Sequence, residues 1–270
     1  YGRPGSFSHK ACRQYFGEDA PISNCASFRE VFQAIDKGEA DYGVIPIENS
    51  LSGSIHENYD LLLEYDLKIV GELSLRVKHN LLANEGATLE SINRVYSHPQ
   101  VFQQCREFLE QYPQWNLIAS KDTASCARRI KEVDDLEEAA IASDEAAELF
   151  QMKVLKEGIE TNPRHCTRFV VIAKENPSNG PKGKSSLIYS VSDTPGSLYE
   201  TLKIFAQRGV NLVKLESRPL PGKPWQYLFY ADVEVDVTDE EHKGILEELQ
   251  QNTEFLKVLG SYPQGNEVSD

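Results

Sequence analysis

Basic residues are in short supply. The 270-residue chain carries 28 Lys and Arg against 42 Asp and Glu, a formal charge of −14, and its pI is near 5.0. A field of that sign argues against nucleic acid or an anionic membrane as a partner. It also disfavours anions at long range, so an anionic ligand needs a local cluster of donors. Apolar runs fall far short of the ~18 residues that span a bilayer, and no charged-then-apolar leader opens the chain. The first residue is Tyr1 rather than Met, so a trimmed leader stays open; the expected compartment is the cytoplasm, or a plastid if a transit peptide preceded Tyr1. The five cysteines (Cys12, Cys25, Cys105, Cys126, Cys166) are odd in number and scattered, with no Cys-x-x-Cys pair, which indicates reduced usage and no zinc site. The six histidines lack metal-ligand spacing, and neither a Walker loop nor a nucleophile elbow occurs. No metal or organic cofactor is expected.

What is present is a 40% apolar composition, enough for an ample core, in an alternation of strand-like and helix-like segments. Phe28, Val31, Phe32 and Ile35 fall on one helical face after Ser27,. Tyr42–Ile47 reads as a buried strand and ends in Glu48-Asn49-Ser50. Strand–helix alternation continues to a last strand at Thr167–Ala173 and predicts a mostly parallel α/β architecture. A turn-rich linker follows. Beyond it the order βαββαβ is ferredoxin-like, with Thr194 as N-cap and Pro195 opening one helix, and a Thr238/Glu241 capping box opening the other. Phe229, Ala231, Val233, Val235 and Val237 alternate with Asp232, Glu234 and Asp236.

The polar signals sit mostly at strand ends, where open α/β sheets hold ligands. Asn49 can donate and accept hydrogen bonds without a pKa. Gly2-x-x-Gly5-Ser6-Phe7-Ser8 and Ser97-His98-Pro99-Gln100 precede helices whose N–H groups can meet an anion; a plain turn and N-cap would read the same. Asp122-Thr123 reads first as ordinary capping. Cys166 beside His165 invites a thiol nucleophile, but neighbours along a strand point to opposite faces. Thr167, at a strand entrance, is the better candidate. The acidic runs, Asp134-Asp135 with Glu137-Glu138 among them, read as solvated faces.

Taken in order, these motifs resemble the prephenate dehydratase family, including its arogenate-using members. They are Gly2-x-x-Gly5-Ser6-Phe7-Ser8, Pro46-Ile47-Glu48-Asn49-Ser50 with Gly53, Ser97-His98-Pro99-Gln100 with Gln104, Asp122-Thr123-Ala124, Ala140-Ile141-Ala142-Ser143 and Thr167-Arg168-Phe169. Pro195-Gly196-Ser197-Leu198, Asn211-Leu212 and Glu216-Ser217-Arg218-Pro219 resemble that family's phenylalanine-binding ACT domain. One departure stands out: the family usually has Asn two residues before the Thr of Thr-Arg-Phe, and here that residue is His165.

The resemblance implies a two-lobed, periplasmic-binding-protein-like catalytic domain over residues 1–176, with lobes at about 1–76 plus 155–176 and at 77–154. A linker (177–183) and an ACT domain (184–262) follow. It implies decarboxylative dehydration of prephenate to phenylpyruvate in phenylalanine biosynthesis, with feedback by phenylalanine. Arogenate dehydration is the alternative, suggested by Ile55–Leu63; a non-catalytic amino-acid sensor is a second. Expected catalytic residues are Thr167, Asn49, Ser97 and Gln104. Expected substrate contacts are Gly5, Ser6, Ser8, Ser50, Gly53, His98, Gln100, Thr123, Arg168 and Phe169, although strand alternation favours a structural salt bridge for Arg168. Gly196, Ser197, Leu198, Asn211, Leu212, Glu216, Ser217 and Arg218 are expected at the effector site of a homodimer or homotetramer.

Overall fold

In the computed structural model, residues 1–175, 182–220, 222 and 225–265 are described; most of the expected linker lies outside them. Short polar residues start several helices. The Ser6 hydroxyl accepts from the His9 amide at 3.3 Å and opens α1 (Phe7–Phe16). Ser27 does the same for α2 (Phe28–Asp36), which buries Val31, Phe32 and Ile35, the face its periodicity predicts. The apolar run forms β1 (Gly43–Asn49), followed by β2 (Gly53–Ser54), α3 (His56–Glu64) and β3 (Lys68–Arg76). The chain then crosses to a second lobe. There it forms β4 (Asn80–Ala83), β5 (Arg94–Ser97), α4 (Pro99–Gln104), α5 (Arg106–Leu109), β6 (Asn116–Ala119), α6 (Thr123–Val133), β7 (Glu138–Ala142), α7 (Asp144–Leu149) and β8 (Lys153–Lys156). It returns to the first lobe as β9 (Cys166–Ala173).

The α/β class holds, but strand direction differs from the mostly parallel expectation. The first-lobe order is β2-β1-β9-β3, and every pair in it is antiparallel. In the second lobe, order β6-β5-β7-β4-β8, β5 is parallel to β6 and β7, while β4 is antiparallel to β7 and β8. The physical reason is the double crossing. β1 and β3 run the same way around α3, but the returning β9 slots between them in the opposite sense. Local alternation of strand and helix cannot reveal that insertion.

The C-terminal unit has the expected βαββαβ order: β10 (Lys184–Ser190), α8 (Ser197–Gln207), β11 (Leu212–Pro219), β12 (Tyr227–Val233), α9 (Lys243–Asn252) and β13 (Phe255–Tyr262). Both expected helix starts move. α8 begins after Gly196, in a left-handed conformation, and α9 begins after His242, whose amide donates to Asp239 Oδ1 at 2.7 Å. One face of this sheet packs on α8 and α9 through Leu187, Phe205, Val233, Ile245 and Leu249. The other face joins the first-lobe core, where Ile188, Leu228, Tyr230, Leu259 and Tyr262 share a cluster with Ile47, Tyr59, Ile69 and Val170. Among the described residues, no helix is long and apolar enough to cross a membrane.

Gly260 shows how closely the two units approach. A Cβ there would lie 2.1 Å from the Ile69 carbonyl oxygen, and backbone on both sides leaves no side chain to give way. Gly260→Ala is therefore expected to cost about 1–3 kcal/mol, as overpacking does, by pushing β13 off β3. Urea unfolding of the full chain measures the loss.

Candidate active site

Alternation along β9 splits its side chains between two environments. Thr167 continues the row of Phe169 and Val171, which packs with Val44, Leu73, Leu75 and Ala11 beneath α1. Arg168 lies on the opposite face, toward β12. A register shift between Pro46 and Glu48 then decides what meets them, pairing Glu48 with Arg168 and Asn49 with Thr167. Without that extra residue, Glu48 would sit opposite Thr167. The bulge exchanges a carboxylate for an amide beside the hydroxyl.

Asn49 is held from both ends. Its Oδ1 accepts from the Leu51 and Ser52 amides, each at 3.1 Å. That leaves Nδ2 to donate to Thr167 Oγ1 at 2.9 Å, and it lies 2.8 Å from His165 Nε2, which is also 3.1 Å from Oδ1. Thr167 Oγ1 accepts there, so its own hydrogen is free for another partner. His165 is 1% exposed and its ring centroid lies 6.1 Å from that of His79, whose Nε2 meets Gln104 Oε1 at 2.8 Å. These groups gather where the chain crosses between lobes: the Val77 amide donates to His165 O at 2.7 Å, and the Ile159 amide donates to His79 O at 2.9 Å. Burial, then repulsion by His79, lowers the His165 imidazole to about 4 against an opposing pull from Glu160. Burial lowers His79 too, opposed by its bond to Gln104. Both rings are neutral near pH 7. Burial raises the Cys166 thiol, with Arg76 opposing, and a raised thiol is a poor nucleophile.

The structure thus brings Thr167, Asn49 and Gln104 into one hydrogen-bonded neighbourhood, joined by two histidines. Sequence reasoning noted His165 only as a departure and passed over His79. The signal for His165 was its position two residues before Thr167, on the same strand face; a lone His79 carried none. Ser97 is buried and donates to the Ile141 carbonyl at 2.8 Å, so its hydrogen ties β5 to β7. His98 Nδ1 accepts from the Gln100 amide at 3.2 Å as a cap, Gln100 is exposed, and Thr123 opens α6 after the Asp122 cap. Gly5 O accepts from Ser143 Oγ at 2.8 Å, which joins the first lobe to the start of α7. Ser6 and Ser8 are half-buried beside it. Ser50 Oγ accepts from the Cys166 amide at 3.0 Å, and Gly53 pairs with Asn49.

Two expected contacts are carried elsewhere. Phe169 is 1% exposed within the apolar core. Arg168 reaches Asp232 at 2.7 Å, Glu72 at 3.3 Å and Glu48 at 3.6 Å, because its face of β9 looks at the C-terminal sheet. Of the expected effector residues, Glu216 meets Ser54 and His56 and Arg218 meets Asp60 at 2.6 Å; both side chains thus dock on the first lobe. Gly196, Ser197 and Leu198 open α8, Asn211 Nδ2 donates to Glu234 at 2.7 Å, Leu212 is half-buried, and Ser217 is exposed. The Glu138 carboxylate, expected on a solvated face, is buried between Arg129 and Arg94.

The chain is similar to known proteins along nearly its whole length. A family model described as prephenate dehydratase matches residues 1–177, and an ACT domain model matches residues 185–253. The bifunctional chorismate mutase/prephenate dehydratase of Escherichia coli (strain K12) is 40% identical over 273 residues, covering 99% of this chain and 70% of its own. Arogenate dehydratase/prephenate dehydratase 2, chloroplastic, of Arabidopsis thaliana is 38% identical over 275 residues, with 97% and 71% covered. Two solved structures superimpose over 97% of this chain. One is a prephenate dehydratase in complex with L-Phe from Arthrobacter aurescens, at TM-score 0.87 and 31% identity over 88% of that chain. The other is GqqA, described as a novel type of quorum quenching acylase, at TM-score 0.88 and 33% identity over 96% of that chain.

The lowered His165 imidazole has a consequence for stability. An unfolded histidine titrates near 6.5, so between pH 6.5 and about 4 the unfolded chain takes up the proton first. Stability from the neutral ring is complete above pH 6.5 and declines as pH falls through that window, at up to about 1.4 kcal/mol per unit. His165→Asn removes this term. Wild type is expected to lose unfolding free energy relative to the variant as pH drops from 6.5 to 4, measured by paired urea titrations.

Proposed function

The chain belongs to the prephenate dehydratase family and carries an ACT domain, and from that premise we propose that it converts prephenate to phenylpyruvate, carbon dioxide and water. The ring carboxylate leaves as carbon dioxide, its bonding pair enters the ring, and the ring hydroxyl departs as water by taking one proton from solvent. Aromatisation drives the reaction. The protein therefore needs a donor at the departing hydroxyl and a fixed geometry. Thr167 is that donor. The observation that carries the reading is the Asn49 amide donating to Thr167 Oγ1 at 2.9 Å, which leaves the threonine hydrogen to be given away. A threonine hydroxyl ionises far above neutrality, so it contributes a hydrogen bond rather than free proton release. Neutral partners also suit a dianionic substrate, and Glu48 is drawn off by Lys214 at 3.0 Å.

The likeness to GqqA raises acyl transfer as a second reading. That chemistry calls for a base on the nucleophile, whereas Thr167 Oγ1 receives a hydrogen bond from an amide and His165 spends its Nε2 lone pair on Asn49. Dehydration needs no such base. Gln104 and the backbone at residues 5–8 and 97–100 are assigned to the substrate's oxygens, while the Ser97 hydrogen is spent on the Ile141 carbonyl; arogenate is the alternative substrate. Phenylalanine is assigned as the effector, bound near Gly196–Leu198 and Asn211–Leu212 where two copies of the chain meet; the L-Phe complex of the Arthrobacter relative supports this.

Purified protein supplied separately with prephenate and arogenate, without metals, is expected to form phenylpyruvate or phenylalanine. Thr167→Ala should lower kcat by about 10²–10³, the cost of one well-aimed donor, while Thr167→Ser keeps most of the activity. Equal rates for the Ala and Ser variants would remove Thr167 from the mechanism.

A further inference from the structure

The two histidines at the lobe crossing carry matched valences. Asn49 Oδ1 is pinned by the amides of Leu51 and Ser52, so a hydrogen of Nδ2 points at His165 Nε2, 2.8 Å away. The same Nε2 lies 3.1 Å from Asn49 Oδ1, but that oxygen already accepts from two amides and the Ser52 hydroxyl, so we take Nε2 to offer its lone pair to the nearer amide hydrogen, with the ring hydrogen on Nδ1. His79 is set the other way: its Nε2 faces the Gln104 carbonyl oxygen and donates to it, leaving a lone pair on Nδ1. Both Nδ1 atoms are buried, and neither has a hydrogen-bond partner among the described residues. One is a donor and the other an acceptor, on neighbouring rings 6.1 Å apart.

We propose that His165 is a positioning residue for the dehydration, fixed as the neutral Nδ1–H tautomer between Asn49 and His79, and that it locks the Asn49 amide so the Thr167 hydrogen stays free for the leaving hydroxyl. The proposal rests on the dehydratase reading and assigns the residue that replaces the family's usual Asn. An Asn carbonyl at this position would likewise accept from Asn49 Nδ2, so the acceptor role survives the exchange. What histidine adds is the second contact, across the crossing to His79 and, through it, to Gln104 of the second lobe. His165 is not the proton source: Asn49 stands between it and Thr167, and an amide does not relay protons. Protonating His165 would put an N–H against the Asn49 Nδ2 hydrogens and release the amide. The charged and titratable neighbours bearing on that protonation are His79 on the outgoing crossing and Glu160 on the returning one; the Glu160 carboxylate accepts from the His79 amide at 2.9 Å.

The test combines imidazole nitrogen NMR on the full chain with kinetics. At pH 7 the ¹⁵N spectrum should show His165 protonated at Nδ1 and His79 at Nε2, with resonances assigned through His165→Asn and His79→Gln; an Nε2–H form of His165 overturns the proposal. With prephenate, His165→Leu should lower kcat by about 10²-fold, as a misplaced catalytic group does, with little change in KM. His165→Asn should keep kcat within about threefold, because the acceptor is restored, and should lose the acid limb of the wild-type pH profile. Wild-type kcat in His165→Leu, or an unchanged acid limb in His165→Asn, counts against the role. A wild-type protein that turns over neither prephenate nor arogenate defeats the dehydratase reading instead, and the tautomer measurement still decides the geometry.

Discussion

A buried guanidinium at the seam between the catalytic lobe and the ACT sheet constrains everything around it. Arg168 enters from β9 and meets Asp232 of β12 and Glu72 of β3, and Lys184 of β10 closes the group on Glu72 at 2.9 Å. Ser186 Oγ donates to Asp232 Oδ1 at 2.5 Å, and the Tyr262 hydroxyl meets Ser186 Oγ at 2.7 Å. Burial pushes the Asp232 carboxyl up, but Arg168, Lys184 and Ser186 outweigh it and hold the group ionised. Burial and the same carboxylates raise the Tyr262 hydroxyl, which keeps it a neutral donor. Such a cluster is not large net stabilisation; its strength lies in the several kcal/mol that any single missing partner would cost. It therefore specifies one docking of the two units.

That docking reaches Thr167 through one peptide step. Arg168 is clamped on one face of β9, and Thr167 projects from the other. Glu48, the cross-strand partner of Arg168, is clamped likewise by Lys214, and Asn49 projects beside Thr167. The ACT strands thus hold the back of the same two strand positions whose fronts form the Asn49–Thr167 pair. The charged groups Arg168, Glu48 and Lys214 lie at the back, and the front pair is an amide and a hydroxyl beside two neutral imidazoles, with the Glu160 carboxylate held on the His79 amide.

Much of this was readable along the chain, and the limits have a physical pattern. The α2 face, the βαββαβ order and the polar endings of β1 and β5 follow from local periodicity and were read correctly. Helix starts went wrong at α8 and α9, where Gly196 in a left-handed conformation and Asp239 displaced the capping residues favoured by local chemistry. Strand direction in the first lobe was misjudged because β9 arrives from some 90 residues away to part β1 from β3. Asp232 was legible only as a member of the polar face of β12; its burial follows from the sheet packed against that face.

The sequence by itself determined the family and most element types, and it singled out Thr167 and Asn49 as candidates, because ordered motifs and hydrophobic period are properties of neighbours in the chain. Only the tertiary structure decided which of Glu48 and Asn49 stands opposite Thr167, since a one-residue bulge in β1 sets that register. It also decided that Arg168 turns to the ACT sheet, and that His79 and His165 meet across the lobe crossing. Those pairings join residues far apart along the chain, through hydrogen bonds and charges that exist only once the strands are side by side.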